Sequence, residues 1–80
     1  MNVDIGLRDV FTAAQRIEGI AWRTPVIRSP VLTHETSARA VHLKLESLQN
    51  TGAFKVRGAA NKILSLTDTE RERGVITFST

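Results

Sequence analysis

Two hydrophobic periods meet at Gly52, and a chain that carries both must put a strand beside a helix. Before the glycine, "AVHLKLE" alternates Val41, Leu43 and Leu45 with His42, Lys44 and Glu46, the two-residue period of a strand with one buried face. After it, Phe54, Val56, Ala59, Ala60, Ile63 and Leu66 recur at helical spacing. The chain therefore reads as a mixture of helix and sheet from its middle outward.

Upstream, Leu7, Val10, Phe11, Ala14 and Ile17 repeat at three and four residues, which predicts an amphipathic helix from Leu7 to Ile20. "WRTPVIRSP" breaks that helix with two prolines, so Pro25 to Arg28 reads as a short extended piece. Ser29-Pro30 is a helix start: the serine oxygen can cap free N–H groups, and proline at the first position has no N–H to leave unpaired. The helix it opens is expected to run to about Arg39. Downstream, Thr67 stands three residues before Glu70, a capping box for a short charged helix that Gly74 would close. "VITF", residues 75–78, is an apolar, β-rich run suited to a buried strand.

Strands separated by helical crossovers imply a parallel sheet covered on both faces. The expected fold class is thus α/β, a partial three-layer α/β/α unit with a parallel sheet. Two or three strands make a poor sheet alone, so one flank of the unit expects more chain. Residues 1–80 form one domain at most, since a chain of 80 residues buries only about 60–65% of its surface on folding. No repeat, low-complexity stretch or linker interrupts it.

Composition narrows the function. No cysteine is present, and His34 and His42 lie outside any ligand-like spacing, so disulfide and metal readings have no support. The net charge of +3 invites a nucleic-acid partner. Against that, the eleven cations are spread along the chain, Arg71 and Arg73 interleave with Glu70 and Glu72, and there is no tyrosine to stack on bases. Asp4, Asp9 and Glu18 rule out a signal-peptide pattern at the N-terminus, and no apolar run reaches the ~18–20 residues that span a bilayer. The expectation is a cytoplasmic protein with neither a nucleic-acid nor a membrane partner.

The chemistry gathers in "QNTGAFKVRGAANK", where Lys55 follows the turn-forming pair Thr51-Gly52. A lysine amine attacks a carbonyl only as the neutral base, so a nucleophilic lysine is recognised by neighbours that favour that form. A helix N-terminus, the cation of Arg57 and the apolar wall of Phe54 all stand close in sequence. The alternative is a solvated lysine on an exposed first turn, as most lysines are. Spacing alone leaves both readings open.

"LKLESLQNTGAFKVRGAANKI" resembles the pyridoxal-phosphate attachment region of the tryptophan-synthase-β-like enzymes, fold type II, and within them the serine/threonine dehydratases and serine racemase. Glu46, Gln49, Thr51-Gly52-Ala53-Phe54-Lys55 and Arg57-Gly58-Ala59 carry the likeness, and "RTPVIRSPVLTHETSARAVHLKLE" extends it upstream with Thr24-Pro25 near its start. Ala53 stands where the family usually has serine, a minor departure.

The resemblance implies that Lys55 is the Schiff-base lysine holding pyridoxal 5'-phosphate and moving the α-proton of the substrate, with Phe54 packed near the pyridine ring. For Arg57 it implies a structural or electrostatic role. "VITFST" resembles the strand leading into the family's Ser-x-Gly-Asn-His loop, which binds the substrate carboxylate, so Ser79 and Thr80 would be substrate-binding. Racemases of the family carry serine at the Thr80 position as a second acid/base, and threonine there favours elimination. The implied activity is β-elimination of a hydroxy amino acid, giving a 2-oxo acid and ammonia. A racemase-like or other amino-acid lyase of the family, or a non-catalytic remnant, are its alternatives.

The five glycines are isolated, so no cradle of convergent amides for the cofactor phosphate can be read in the chain. The expectation is accordingly an N-terminal piece of a catalytic domain, inactive by itself. Family members often pair as homodimers, which the likeness alone implies here.

Overall fold

A computed structural model describes residues 4–78. The first helix, α1 (Leu7–Ile17), begins where the Asp9 carboxylate accepts the Gly6 N–H at 2.8 Å. It ends three residues before Ile20, because Gly19 takes a positive φ of 84° and turns the chain out of the helix. Strand β1 (Val26–Arg28) follows, and then α2 (Pro30–Thr36). Ser29 caps α2 as its sequence predicts, the hydroxyl accepting the Leu32 N–H at 3.2 Å. Ser37 closes it in the left-handed region at φ 58°, ahead of the expected end at Arg39.

Strand β2 (His42–Lys44) pairs with β1 in antiparallel register, Val26 opposite Lys44, Ile27 opposite Leu43 and Arg28 opposite His42. Two further backbone bonds lengthen the ladder, Ser29 N–H to Val41 O at 2.8 Å and Leu45 N–H to Pro25 O at 2.9 Å. Thr33 docks α2 on this ribbon: its hydroxyl donates to Ser29 O at 2.7 Å and accepts the Val41 N–H at 2.9 Å. A 3-10 turn (Glu46–Leu48) leads through the Gly52 bend into α3 (Lys55–Ser65), which lies against α1. The last helix, α4 (Asp68–Arg73), has its capping box: Glu70 N–H reaches Thr67 Oγ1 at 3.2 Å and Thr67 N–H reaches Glu70 Oε1 at 2.8 Å.

The sheet departs from the parallel, doubly covered one that the element order suggests. Among the described residues it has two strands, and they run antiparallel. Residues 75–78 have the composition of a strand but pair with no other segment among the described residues, and a strand exists only through such pairing. The three-layer arrangement is therefore not formed within residues 4–78; what these residues form is a set of helices around one small ribbon.

No hydrophobic side chain is buried among the described residues, while Leu7, Phe11, Val31, Phe54, Ile76 and Phe78 stand largely exposed. The radius of gyration, 16.5 Å, exceeds the roughly 12 Å of a compact domain of this length. The two residues buried among those described are polar, Thr24 and Gln49. No helix among the described residues is long and apolar enough to cross a membrane.

Candidate functional site

The loop before α3 is built on glycine. Gly52 has φ 78°, and its N–H closes a turn onto Gln49 O at 2.8 Å. A β-carbon there would meet nothing within 4 Å, so backbone conformation rather than space asks for glycine. Phe54 then takes helical angles, and Lys55 is the first residue of α3. The helix has no side-chain cap, leaving its first N–H groups open beside Lys55. Both Lys55 and Phe54 are exposed, and among the described residues the Lys55 amine makes no hydrogen bond or ion pair.

Behind that turn lies a polar junction. The segment from Ile20 to Thr24 is irregular, so its backbone groups need partners from outside any ladder. Gln49 supplies two of them: its Oε1 accepts the Trp22 N–H at 2.6 Å and its Nε2 donates to Trp22 O at 2.9 Å. Asn50 Nδ2 donates to Ile20 O at 2.7 Å, and Lys44 Nζ donates to Thr24 O at 2.6 Å.

Glu46 is the centre of the junction. Its carboxylate accepts the Thr24 hydroxyl and forms a close ion pair with Arg57 Nε, while Arg57 Nη2 reaches the other oxygen at 3.2 Å and Trp22 O at 3.0 Å. These donors, Arg57 first and Thr24 next, outweigh the cost of desolvation and hold the Glu46 carboxyl down at about 2. The same pair pushes the Arg57 guanidinium above its ordinary value.

Lys55 faces away from this junction. Two residues on a helix of ~3.6 per turn place Lys55 and Arg57 about 200° apart, on opposite sides. Arg57 is thus no bare cation beside the lysine: its charge is spent on Glu46, which corrects the electrostatic part of the sequence reading. The lysine shares its side of α3 with Ala59 and Lys62, which line an open groove of about 650 Å³ together with Leu66, Val75 and Ile76.

Among the described residues Lys55 is thus an exposed primary amine at the start of α3, without a hydrogen-bond or ion-pair partner. No cluster of three or more metal-ligating side chains occurs among the described residues. Ser79 and Thr80, the expected substrate-binding pair, lie outside the described residues. In the sequence Glu46 and Gln49 are only letters of a motif, and their meeting with Thr24 and Trp22 shows only in the fold. The available signal was the spacing of Glu46 and Gln49, one turn apart and directly before a glycine bend.

Residues 17–80 match the family of pyridoxal-phosphate dependent enzymes. An L-threo-3-hydroxyaspartate ammonia-lyase of a Pseudomonas species is 49% identical over 71 residues, covering 89% of this chain and 22% of that protein. A catabolic L-threonine dehydratase of Staphylococcus aureus strain USA300 is 44% identical over 75 residues, covering 94% of this chain and again 22% of the relative. No solved structure matches the chain. The chain thus spans about a fifth of the length of these curated relatives. With a match over residues 17–80, most of its length, the chain belongs to the pyridoxal-phosphate dependent enzymes.

Proposed function

We propose that this chain supplies the cofactor-holding segment of an ammonia-lyase that removes the β-hydroxyl and the amine of a hydroxy amino acid such as threonine, serine or 3-hydroxyaspartate. The observation that carries the reading is the free Lys55 amine on the first turn of α3, in a chain whose residues 17–80 match the family. A carbonyl cofactor asks for such an amine, and Lys55 fits it; the isolated glycines leave the phosphate unassigned to any residue here.

In this reading Lys55 binds pyridoxal phosphate through Nζ and then carries the substrate α-proton on the same atom. Phe54, exposed beside it, would pack near the pyridine ring of the bound cofactor. Ser79 and Thr80 bind the substrate carboxylate. Pyridoxal phosphate, when bound, supplies the sink for the electron pair left at the substrate Cα. The whole protein is a three-layer α/β/α domain with a parallel sheet, of which residues 1–80 are the N-terminal part; it is cytoplasmic and a homodimer.

The test is chemical. The full-length protein mixed with pyridoxal phosphate is expected to give a visible band that borohydride fixes to the Lys55 peptide. Lys55→Ala is expected to lose that band, and 2-oxo acid formation from threonine or serine should drop by about 10²–10⁴-fold or more. A band and an activity that survive Lys55→Ala overturn the assignment.

A further inference from the structure

Apolar burial alone does not fix how α3 is turned about its own axis, because none of its residues is fully buried and Val56 and Ala60 are only half-buried. Two polar side chains one turn apart on a single side do so instead. Arg57 holds Glu46 and Trp22 O, and Asn61 Oδ1 accepts a hydrogen bond from Arg16 Nη1 on α1 at 3.3 Å. Residues four apart share a face of a helix, so both anchors pull the same side inward and leave the side bearing Lys55, Ala59 and Lys62 outward. At the first turn Arg57 acts alone, since Phe54 supplies no side-chain cap. Arg57 is itself held, because the Glu46 that grips it is gripped in turn by Thr24, a buried residue.

We propose that Glu46, acting through Arg57, is a positioning residue for Lys55: the junction fixes the rotation of the first turn of α3, and with it the direction in which the Lys55 amine leaves the helix. The inference rests on the reading of Lys55 as the cofactor-holding amine and assigns the part that another pair of side chains plays in it. Glu46 and Arg57 touch neither cofactor nor substrate in this scheme. A carboxylate is needed because one oxygen serves Thr24 and the other serves Arg57 Nε, and the amide of a glutamine offers only one acceptor.

The test uses the full-length protein, stripped of cofactor, in three variants: Glu46→Gln, Arg57→Lys and the milder Thr24→Val. Each is mixed with pyridoxal phosphate and borohydride at a temperature where circular dichroism shows wild-type helix content. The Lys55 nitrogen condenses with the aldehyde carbon, the aldehyde oxygen leaves as water, and borohydride delivers hydride to that carbon and fixes the bond. Peptide mass mapping then gives the rate at Lys55 relative to Lys62, an exposed lysine on the same side of the helix.

The Lys55 to Lys62 ratio is expected to fall about tenfold or more in Glu46→Gln and Arg57→Lys, and less in Thr24→Val, because displacement of a reacting atom by ~1 Å costs rate steeply. Asp68→Asn, which removes the separate ion pair to Arg71 on α4, should leave the ratio unchanged. A merely structural junction would shift the melting temperature and leave the ratio at its wild-type value in folded protein, and that result overturns the proposal. Should a strong variant fail to fold, Thr24→Val decides, and an unchanged ratio there counts against the proposal equally. Wild-type protein that gains no adduct at Lys55 overturns the cofactor reading itself, a different outcome from an adduct that all variants share.

Discussion

The junction around Glu46 and the apolar sides of the helices are treated oppositely by this chain. Within a few residues of Glu46 the polar atoms are matched, with Thr24 and Gln49 buried and no buried side-chain N or O left without a partner among the described residues. On α1 and along residues 75–78 the reverse holds: Leu7, Phe11, Ile76 and Phe78 face outward uncovered. Hydrogen bonds are directional and cost much when left unmade in a buried place, so they must be completed where the chain folds. Apolar contact has no direction and can be completed by any surface that arrives. The local geometry of the lysine turn is consequently written in polar side chains, and the apolar faces contribute little to it.

Gln49→Leu breaks that comparison most directly. The substitution roughly keeps the volume of buried Gln49 but removes both of its part-buried hydrogen bonds to the Trp22 backbone, at a cost of about 2 kcal/mol. Denaturant unfolding followed by the fluorescence of Trp22, the sole tryptophan, reads the loss at the place where it occurs. A change below about 0.5 kcal/mol, typical of an uninvolved surface site, would mean that the junction does not hold the 20–24 segment.

Next in size, once solvent screening of a half-exposed pair is discounted, is an acid limb. Glu46 titrates at about 2 in the folded chain against an ordinary 4.5, so its contribution is full above 4.5 and is lost as the pH falls through about 2. Arg57 is shifted upward by the same pairing, so it stays charged throughout this range and its share of the interaction ends when Glu46 takes up its proton. Glu70 is lowered as well, by the Thr67 N–H, and adds in the same direction. Glu46→Gln is therefore expected to flatten the pH dependence of stability between 4.5 and 2 and to leave the Glu70 share in place. Equal acid slopes in the two proteins would contradict the pairing with Arg57.

Much of this was legible in the sequence because local rules suffice for it. The Ser29-Pro30 start of α2, the Thr67 and Glu70 box of α4 and the alternation over β2 each depend on residues a few positions apart. Helix ends were less legible: Gly19 stops α1 and Ser37 stops α2 through backbone angles that periodicity does not reveal. The partner of each strand was illegible for a stronger reason. "VITF" and "AVHLKLE" have strand composition, but pairing is decided between distant segments, and β2 found β1 instead. The same limit hid the junction, whose bonds to the 20–24 segment join residues 20 to 35 positions apart and leave no period. Lys55 itself became specific only through family resemblance, since spacing could not separate a nucleophile from a solvated charge.

Phe11→Ala has the smallest expected effect and tests the other half of the comparison. Phe11 is 63% exposed, so removing its ring takes little surface back from a covered state, and the stability of the chain should move by no more than about 0.5 kcal/mol. A phenylalanine in a packed core would instead lose about 3–5 kcal/mol on the same change. The two outcomes are far enough apart for a single unfolding curve to separate them. A loss of core size would show that the α1 face is covered in solution, and a dependence of that loss on protein concentration would assign the cover to a second copy, since association stabilises by mass action. A small, concentration-independent change would instead leave the polar junction as the feature that organises the lysine turn.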